Sequence, residues 1–381
     1  MKFRFHYLGM YHLPTAKRFF SCAYTQKIIK LSQMLISLGH EVYLYAPEGS
    51  DSKYFTKVFT THSLKDIRDS YGDGDNRFEL GYDWQTEGNT FRYDKDGSKS
   101  IAHNKFIENA IKLINENKKP DDFLLSPQGK VFKPIWDAVG LLATCEPGIG
   151  YGNSGARFRA FESSFIQNHT YGAESDQGNI GDGKFLDRVI PNYFNKGEFP
   201  FEVDLQREDY FLFVGRVIPH KGIHIAQRVC QKLGKTLVVA GQTNADLKEE
   251  PGIKYVGVVD PVRKYQLMAH AQAVFVPTLY LEPFGGVNVE AQLCGTPVIT
   301  TNFGAFPETV INGVTGFRCN TFKEMVSAAC QVKYLDRLKI RKHAEQYLTD
   351  FVKWDFQRWF TDIYNLIQET KQGNTEPWYS I

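Results

Sequence analysis

Apolar and polar residues alternate at the N-terminus, where Phe3, Phe5 and Tyr7 mark one face of a strand. The period then changes. Ile28, Leu31, Leu35 and Leu38 recur at helical spacing, and Gly39 follows as a helix stop. Val42 to Ala46 is a short strand-like run ended by Pro47. Strand, helix and strand at this length make a βαβ unit and predict a parallel sheet. From His62 to Ser100 the pattern gives way to a polar, Gly- and Asp-rich stretch, read as long surface excursions. Regularity returns with a helix over about 104–117 and with strands at Phe123–Leu125 and Val139–Cys145. A second irregular region, 171–184, precedes a strand at Asp187–Ile190.

Pro191 to Glu208 reads as a linker, after which the alternation restarts. Strands are expected at Tyr210–Val214, Thr236–Ala240, Lys254–Val256, Ala273–Pro277 and Pro297–Thr301, the last two completing the set. Helices are expected at Gly222–Leu233, Tyr265–Ala271 and Trp354–Thr370. Two βα arrays joined by a linker imply an α/β protein of two doubly wound, Rossmann-like domains with a cleft between them. The expected division is 1–195 and 205–353, with a last helix, about 354–381, returning to the first domain. No repeat or low-complexity tract stands out.

Composition narrows the classes. A chain of 381 residues suits two ordinary domains, and 42% hydrophobic with 23% charged residues is a globular balance. The 45 basic and 43 acidic side chains nearly cancel to +2, which gives no support to broad electrostatic binding of nucleic acid. No stretch approaches the roughly 20 apolar residues of a bilayer span. The first residues lack the apolar core of a signal peptide, so cytoplasm is the default expectation. Six cysteines (Cys22, Cys145, Cys230, Cys294, Cys319, Cys330) are scattered singly, as expected of reduced thiols serving as small core residues.

The segment richest in chemistry is Tyr280-Leu281-Glu282-Pro283-Phe284-Gly285-Gly286-Val287-Asn288-Val289-Glu290-Ala291. It follows a buried strand and runs into a helix. Gly285 and Gly286 let a ligand approach the backbone closely, and the first N–H groups of that helix suit a phosphate. Glu290 sits among apolar helix residues, where a carboxylate is costly without a hydrogen-bond partner; a ribose diol is a natural one. Glu282, expected at the strand end, is placed to bind sugar hydroxyls.

Glu282 and Glu290 are separated by seven residues with an internal Phe-Gly. This E-x7-E motif resembles that of the retaining family-4 GT-B glycosyltransferases (glycosyl transferases group 1). The flanks Ala291 to Ile299, Gly304 to Val310 and Asn312 to Phe317 are similar to that family too. So are Val189-Ile190-Pro191-Asn192 before the linker and the Phe211–Gly222 stretch, with Gly215-Arg216 and Pro219-His220-Lys221-Gly222. Good resemblance covers about 189–317; in the first half it is architectural.

The resemblance implies a GT-B fold and retaining transfer of a sugar from a UDP- or GDP-linked donor to a hydroxyl of a carbohydrate, glycan or other acceptor. Arg216, Lys221 and the backbone of Phe284, Gly285, Gly286 and Val287 would hold the diphosphate. Preorganised positive charge there would stabilise the leaving group. Glu290 would hold the ribose, Glu282 the donor sugar, and backbone near Val256–Val259, Val258 included, the base. Tyr280 and Asn288 would shape sugar choice or simply pack. No cofactor, metal or protein nucleophile is implied. Rivals are another GT-B reaction, such as phosphorolysis or epimerisation, and a non-catalytic nucleotide-sugar-binding or scaffold subunit. Oligomeric state and peripheral membrane contact are left open.

The first loop departs from the family pattern, with Gly9 alone where a Gly-Gly pair is common. Cys145-Glu146-Pro147 stands where a His is frequent. Gly9 and Glu146 are the acceptor-side candidates, Glu146 either binding an acceptor hydroxyl or capping the following turn. His103 and His169 are read as structural. Gly150-Tyr151-Gly152-Asn153-Ser154-Gly155 mimics a dinucleotide fingerprint, but no strand is expected after the next helix to present the acid. Asp73-Gly74-Asp75 and Asp94-Lys95-Asp96 mimic a D-x-D metal motif without ending an apolar strand. His220 and His224 lack a third ligand.

Overall fold

The computed structural model describes residues 1–20, 22–71, 100–175, 183–242 and 250–373. Its first unit runs β1 (Arg4–Leu8), α1 (Ala23–Ser37), β2 (Glu41–Ala46), β3 (Lys57–Thr60), α2 (Leu64–Tyr71), α3 (Ile101–Asn117), β4 (Phe123–Leu125), α4 (Lys133–Val139), β5 (Ala143–Ile149), β6 (Phe158–Phe161), α5 (Ser164–Glu174) and β7 (Arg188–Val189). The second unit runs β8 (Tyr210–Val214), α6 (Ile223–Leu233), β9 (Thr236–Ala240), β10 (Ile253–Gly257), α7 (Pro261–His270), β11 (Val274–Val276), α8 (Gly286–Leu293), β12 (Val298–Thr301), α9 (Phe306–Thr309), β13 (Gly316–Cys319), α10 (Phe322–Gln331) and α11 (Arg337–Ala344). A long α12 (Thr349–Lys371) follows.

Among the described residues the strands form two parallel sheets, ordered β3-β2-β1-β4-β5-β6-β7 and β10-β9-β8-β11-β12-β13. Both are doubly wound. The winding reverses between β1 and β4 in the first and between β8 and β11 in the second. At such a reversal, successive connections leave on opposite faces, so a crevice opens at the carboxyl ends of the strands. That is where the loops with unusual chemistry lie.

The chain returns at its end to the first core. Val352, Phe356, Trp359, Phe360, Ile363 and Ile367 of α12 are buried with Phe3, Phe5 and Phe123 of the first sheet. Their spacing is one helical face, and the Trp359 indole N–H donates to the Leu186 carbonyl at 2.6 Å. The two connections between the units also meet. The Phe194 N–H donates to Tyr347 O at 3.0 Å, and the Thr349 N–H to Phe194 O at 2.9 Å.

Several expectations shift. The apolar run at Val139–Leu142 does not begin a strand: Val139 ends α4, Gly140 caps it with φ +65°, and the strand starts at Ala143. Ile135, Trp136 and Val139 of α4 are buried, a helical face that the adjoining apolar residues mask in sequence. Part of the 62–100 stretch is regular, since α2 covers Leu64–Tyr71, and α5 reaches Glu174. The strands do not end at Thr301, because β13 pairs alongside β12. The Gly150–Gly155 run opens onto β6, not a helix, and β7 does follow α5; this geometry removes the dinucleotide reading. Cys330 is exposed, whereas the other five cysteines are buried. Asp73-Gly74-Asp75 and Asp94-Lys95-Asp96 lie outside the described residues.

One buried histidine ties the first crevice together. The His62 Nε2–H donates to Tyr11 O at 2.8 Å, pinning the loop after β1, and Nδ1 lies 3.0 Å from Thr61 Oγ1. Burial pushes its pKa down to about 4, against about 6.5 in an unfolded chain. Between these values the unfolded chain binds the proton and the folded one does not. Stability is therefore full above about pH 6.5 and falls toward pH 4, by up to about 3 kcal/mol. His62→Gln should flatten this acid-side slope in urea titrations at stepped pH. An unchanged slope would assign it to another group.

Candidate functional site

The loops after β8 and β11 meet at the second winding reversal, and their approach is close. Gly222 has φ +73°, and a Cβ there would lie 1.9 Å from the Pro277 carbonyl oxygen. The Leu279 N–H donates to His220 O at 2.8 Å. Lys221 is thereby held over the second loop. Its ammonium donates to Glu282 Oε2 at 3.0 Å and also to the Tyr280 phenol oxygen. Burial raises the pKa of that phenol and the Glu282 carboxylate adds to the rise, while Arg216 opposes it. Arg216 is exposed on the β8 loop. Glu282 is in the loop, six residues past the end of β11, rather than at the strand end. Gly304 seats against its backbone, and the Ala305 N–H donates to Glu282 O at 2.9 Å.

Gly285, at φ +81°, turns the chain into α8. Just before it, Phe284 is buried against the rings of Phe194 and Tyr347. The opening amides of α8, Gly286 and Val287, have no intrahelical acceptor and follow directly on the loop that carries Glu282. At the far end, Arg337 donates to Cys294 O at 3.0 Å, and Arg341 donates to Leu293 O. One turn into the helix, Glu290 Oε1 accepts from Lys264 Nζ at 2.9 Å and from the Tyr265 hydroxyl at 3.3 Å. Asn288 is fully buried, with its amide donating to Thr309 Oγ1, so it packs. Val258 is half-buried between β10 and α7, and Asp260 caps α7 just beyond it.

The expected second-unit residues Arg216, Lys221, Glu282, Phe284, Gly285, Gly286, Val287 and Glu290 thus belong to two neighbouring loops and the helix they lead into. The acceptor-side candidates belong to the first unit. Gly9 lies against the end of β2, where a Cβ would come 2.8 Å from the Ala46 Cβ. Glu146 is fully buried and accepts from the Gly155 and Ala156 amides, both at 2.7 Å, and from Tyr151 at 3.1 Å. Burial raises its pKa and those donors pull it back. These contacts match the turn-capping alternative. His220 and His224 are both exposed.

Two contacts cross between the units beside the Glu282 loop. Ser163 Oγ donates to Pro283 O at 2.5 Å. Glu308 accepts from the Ser164 and Phe165 amides, both at 2.8 Å, so a carboxylate of the second unit caps α5 of the first. No motif in the sequence assigns these contacts to Glu308, Lys264 or Tyr265. Their partners lie 143, 26 and 25 residues away, beyond any local pattern.

Residues 195–349 match the family described as Glycosyl transferases group 1. That match lies in the second unit and spans less than half of the chain. Glycogen synthase of Mycobacterium tuberculosis (strain ATCC 25618 / H37Rv) is 31% identical over 210 residues, 50% of each chain. D-inositol 3-phosphate glycosyltransferase of Mycobacterium avium (strain 104) is 40% identical over 124 residues, 29% of each. The matched region thus spans at most about half the length of these curated relatives. Among solved structures, Anabaena Alr3699/HepE with UDP and glucose superposes with TM-score 0.64 at 15% identity, covering 94% of this chain and 100% of that one. Sucrose-phosphate synthase from Thermosynechococcus elongatus gives 0.67 at 13%, covering 95% and 99%. These likenesses show the GT-B fold across both units.

The cap across the units can be tested without a substrate. In Glu308→Ala the Ser164 and Phe165 amides should exchange with deuterium roughly tenfold faster, with the rest of the protection pattern kept. Unchanged exchange at both would mean that the two units do not meet there in solution.

Proposed function

We propose that this chain transfers a sugar from a UDP- or GDP-linked donor to an acceptor hydroxyl, with retention of configuration and without a metal ion or cofactor. The observation that carries the reading is the Lys221–Glu282 ion pair between the loops after β8 and β11, the second of which leads directly into the opening amides of α8 and on to Glu290, with Arg216 on the same loop as Lys221. The amides and the two cations suit a diphosphate, whose charge grows as it leaves. Glu282 would take hydroxyls of the donor sugar and Glu290 those of the ribose, with the base against the loop at Val258. That Alr3699/HepE holds UDP and glucose in the same fold supports a nucleotide-sugar ligand.

On this reading residues 1–195, with about 354–381, form the acceptor-side unit, and 205–353 the donor unit. The acceptor enters between them and the leaving phosphate helps take its proton, so no side-chain nucleophile is required. Approach of the units excludes water from the donor. Gly9 remains an acceptor-side candidate through its loop. Glu146 would act indirectly, by shaping the turn beside it. No helix among the described residues is long and apolar enough to cross a membrane. The proposed site lies in a reduced, cytoplasmic protein.

Thermal stabilisation by UDP, GDP, ADP and their sugar conjugates, with EDTA present, tests this. A ligand at 100 times its dissociation constant should add about 2.7 kcal/mol. One base should be preferred, and Glu290→Ala should lose most of the shift. No shift with any of them would sink the nucleotide-sugar reading. Binding without turnover on any acceptor would instead favour a non-catalytic binding subunit.

A further inference from the structure

Glu290 is not a bare carboxylate waiting for a ligand. Both of its observed hydrogen bonds fall on one oxygen: Oε1 accepts from Lys264 Nζ at 2.9 Å and from Tyr265 at 3.3 Å. Oε2 has no partner among the described residues. The two donors are successive residues of α7, a helix fixed at its start by the Asp260 side chain accepting from the Arg263 N–H at 2.9 Å. Tyr265 is 5% exposed, and burial together with the Glu290 charge raises its pKa, so its hydroxyl stays a donor. Lys264 is different. About a fifth of its side chain is exposed, and an ammonium has three N–H bonds, of which Glu290 takes one.

An open acceptor (Oε2) therefore stands next to a donor with bonds to spare (Lys264 Nζ). That pair complements two neighbouring hydroxyls, one giving its proton to the carboxylate and the other accepting from the ammonium. We infer that Lys264, with Tyr265 holding Glu290 in place, makes this site select ribonucleoside over deoxyribonucleoside diphosphates. The inference rests on the proposed function and deepens it. Lys264 binds one hydroxyl and Tyr265 is a positioning residue. The Lys264–Glu290 pair itself persists, but a ligand lacking one hydroxyl leaves either Oε2 or a spare N–H of Lys264 unmatched in a mostly buried place, which is where polar discrimination is largest.

The test measures dissociation constants of UDP, GDP and ADP and of their 2′-deoxy and 3′-deoxy forms by calorimetric titration. Wild type, Lys264→Met, Lys264→Arg and Tyr265→Phe are compared. Wild type should prefer the ribose form at least tenfold. Lys264→Met should reduce that ratio to about twofold or less while keeping the order of base preference. Lys264→Arg should recover part of the ratio, which a merely structural role for the charge at the helix surface would not require. Tyr265→Phe should lower the ratio with a smaller change. A full ribose preference in Lys264→Met, with the variant folded as judged by its melting temperature, overturns the inference alone. Failure of wild type to bind any of the three diphosphates overturns the proposed function and this inference with it.

Discussion

The contact between Gly222 and the Pro277 carbonyl sets the geometry of everything around the second crevice. Two loops leave the carboxyl ends of β8 and β11 and are pressed together by that contact and by the Leu279–His220 hydrogen bond. A residue with a Cβ at 222 would force them apart. Lys221 would then lose its reach to Glu282 and Tyr280. The site is thus a product of backbone packing first and of side-chain chemistry second.

Within that frame the charges are arranged in local pairs. Glu282 faces Lys221 and Glu290 faces Lys264, each pair bridging two elements of the second unit. All four side chains are mostly buried, so removing either member of a pair would strand the other in a place where an isolated charge is expensive. Pairing also limits the field that the crevice presents. Arg216 is exposed and belongs to neither pair.

Much of the second unit could be read from the chain, because its strands are uninterrupted apolar runs and its turns carry glycine. Tyr210–Val214 and Thr236–Ala240 appear with the expected ends. The E-x7-E motif could be read because it is local, a loop running straight into the first turn of α8. What failed to show were features decided by distant partners. The Val139 region looked like a strand because a helical end and a strand start abut across Gly140 with no polar break. Lys264 and Glu308 gave no signal, because their roles depend on helices brought alongside by the sheet. For Glu146 the sequence left a ligand and a turn cap both open, and the amides of Gly155 and Ala156 supply the cap.

The return of α12 to the first sheet has a consequence for how the molecule is made. The face carrying Phe3, Phe5 and Phe123 is completed by Phe356, Trp359 and Phe360, which leave the ribosome some 350 residues after the first strand. The second unit has no such debt to the end of the chain, since its cores are closed by residues up to Leu348. Synthesis therefore runs from first to last, but completion does not. The unit translated first must wait, with an aromatic face uncovered, until the one translated after it is already whole.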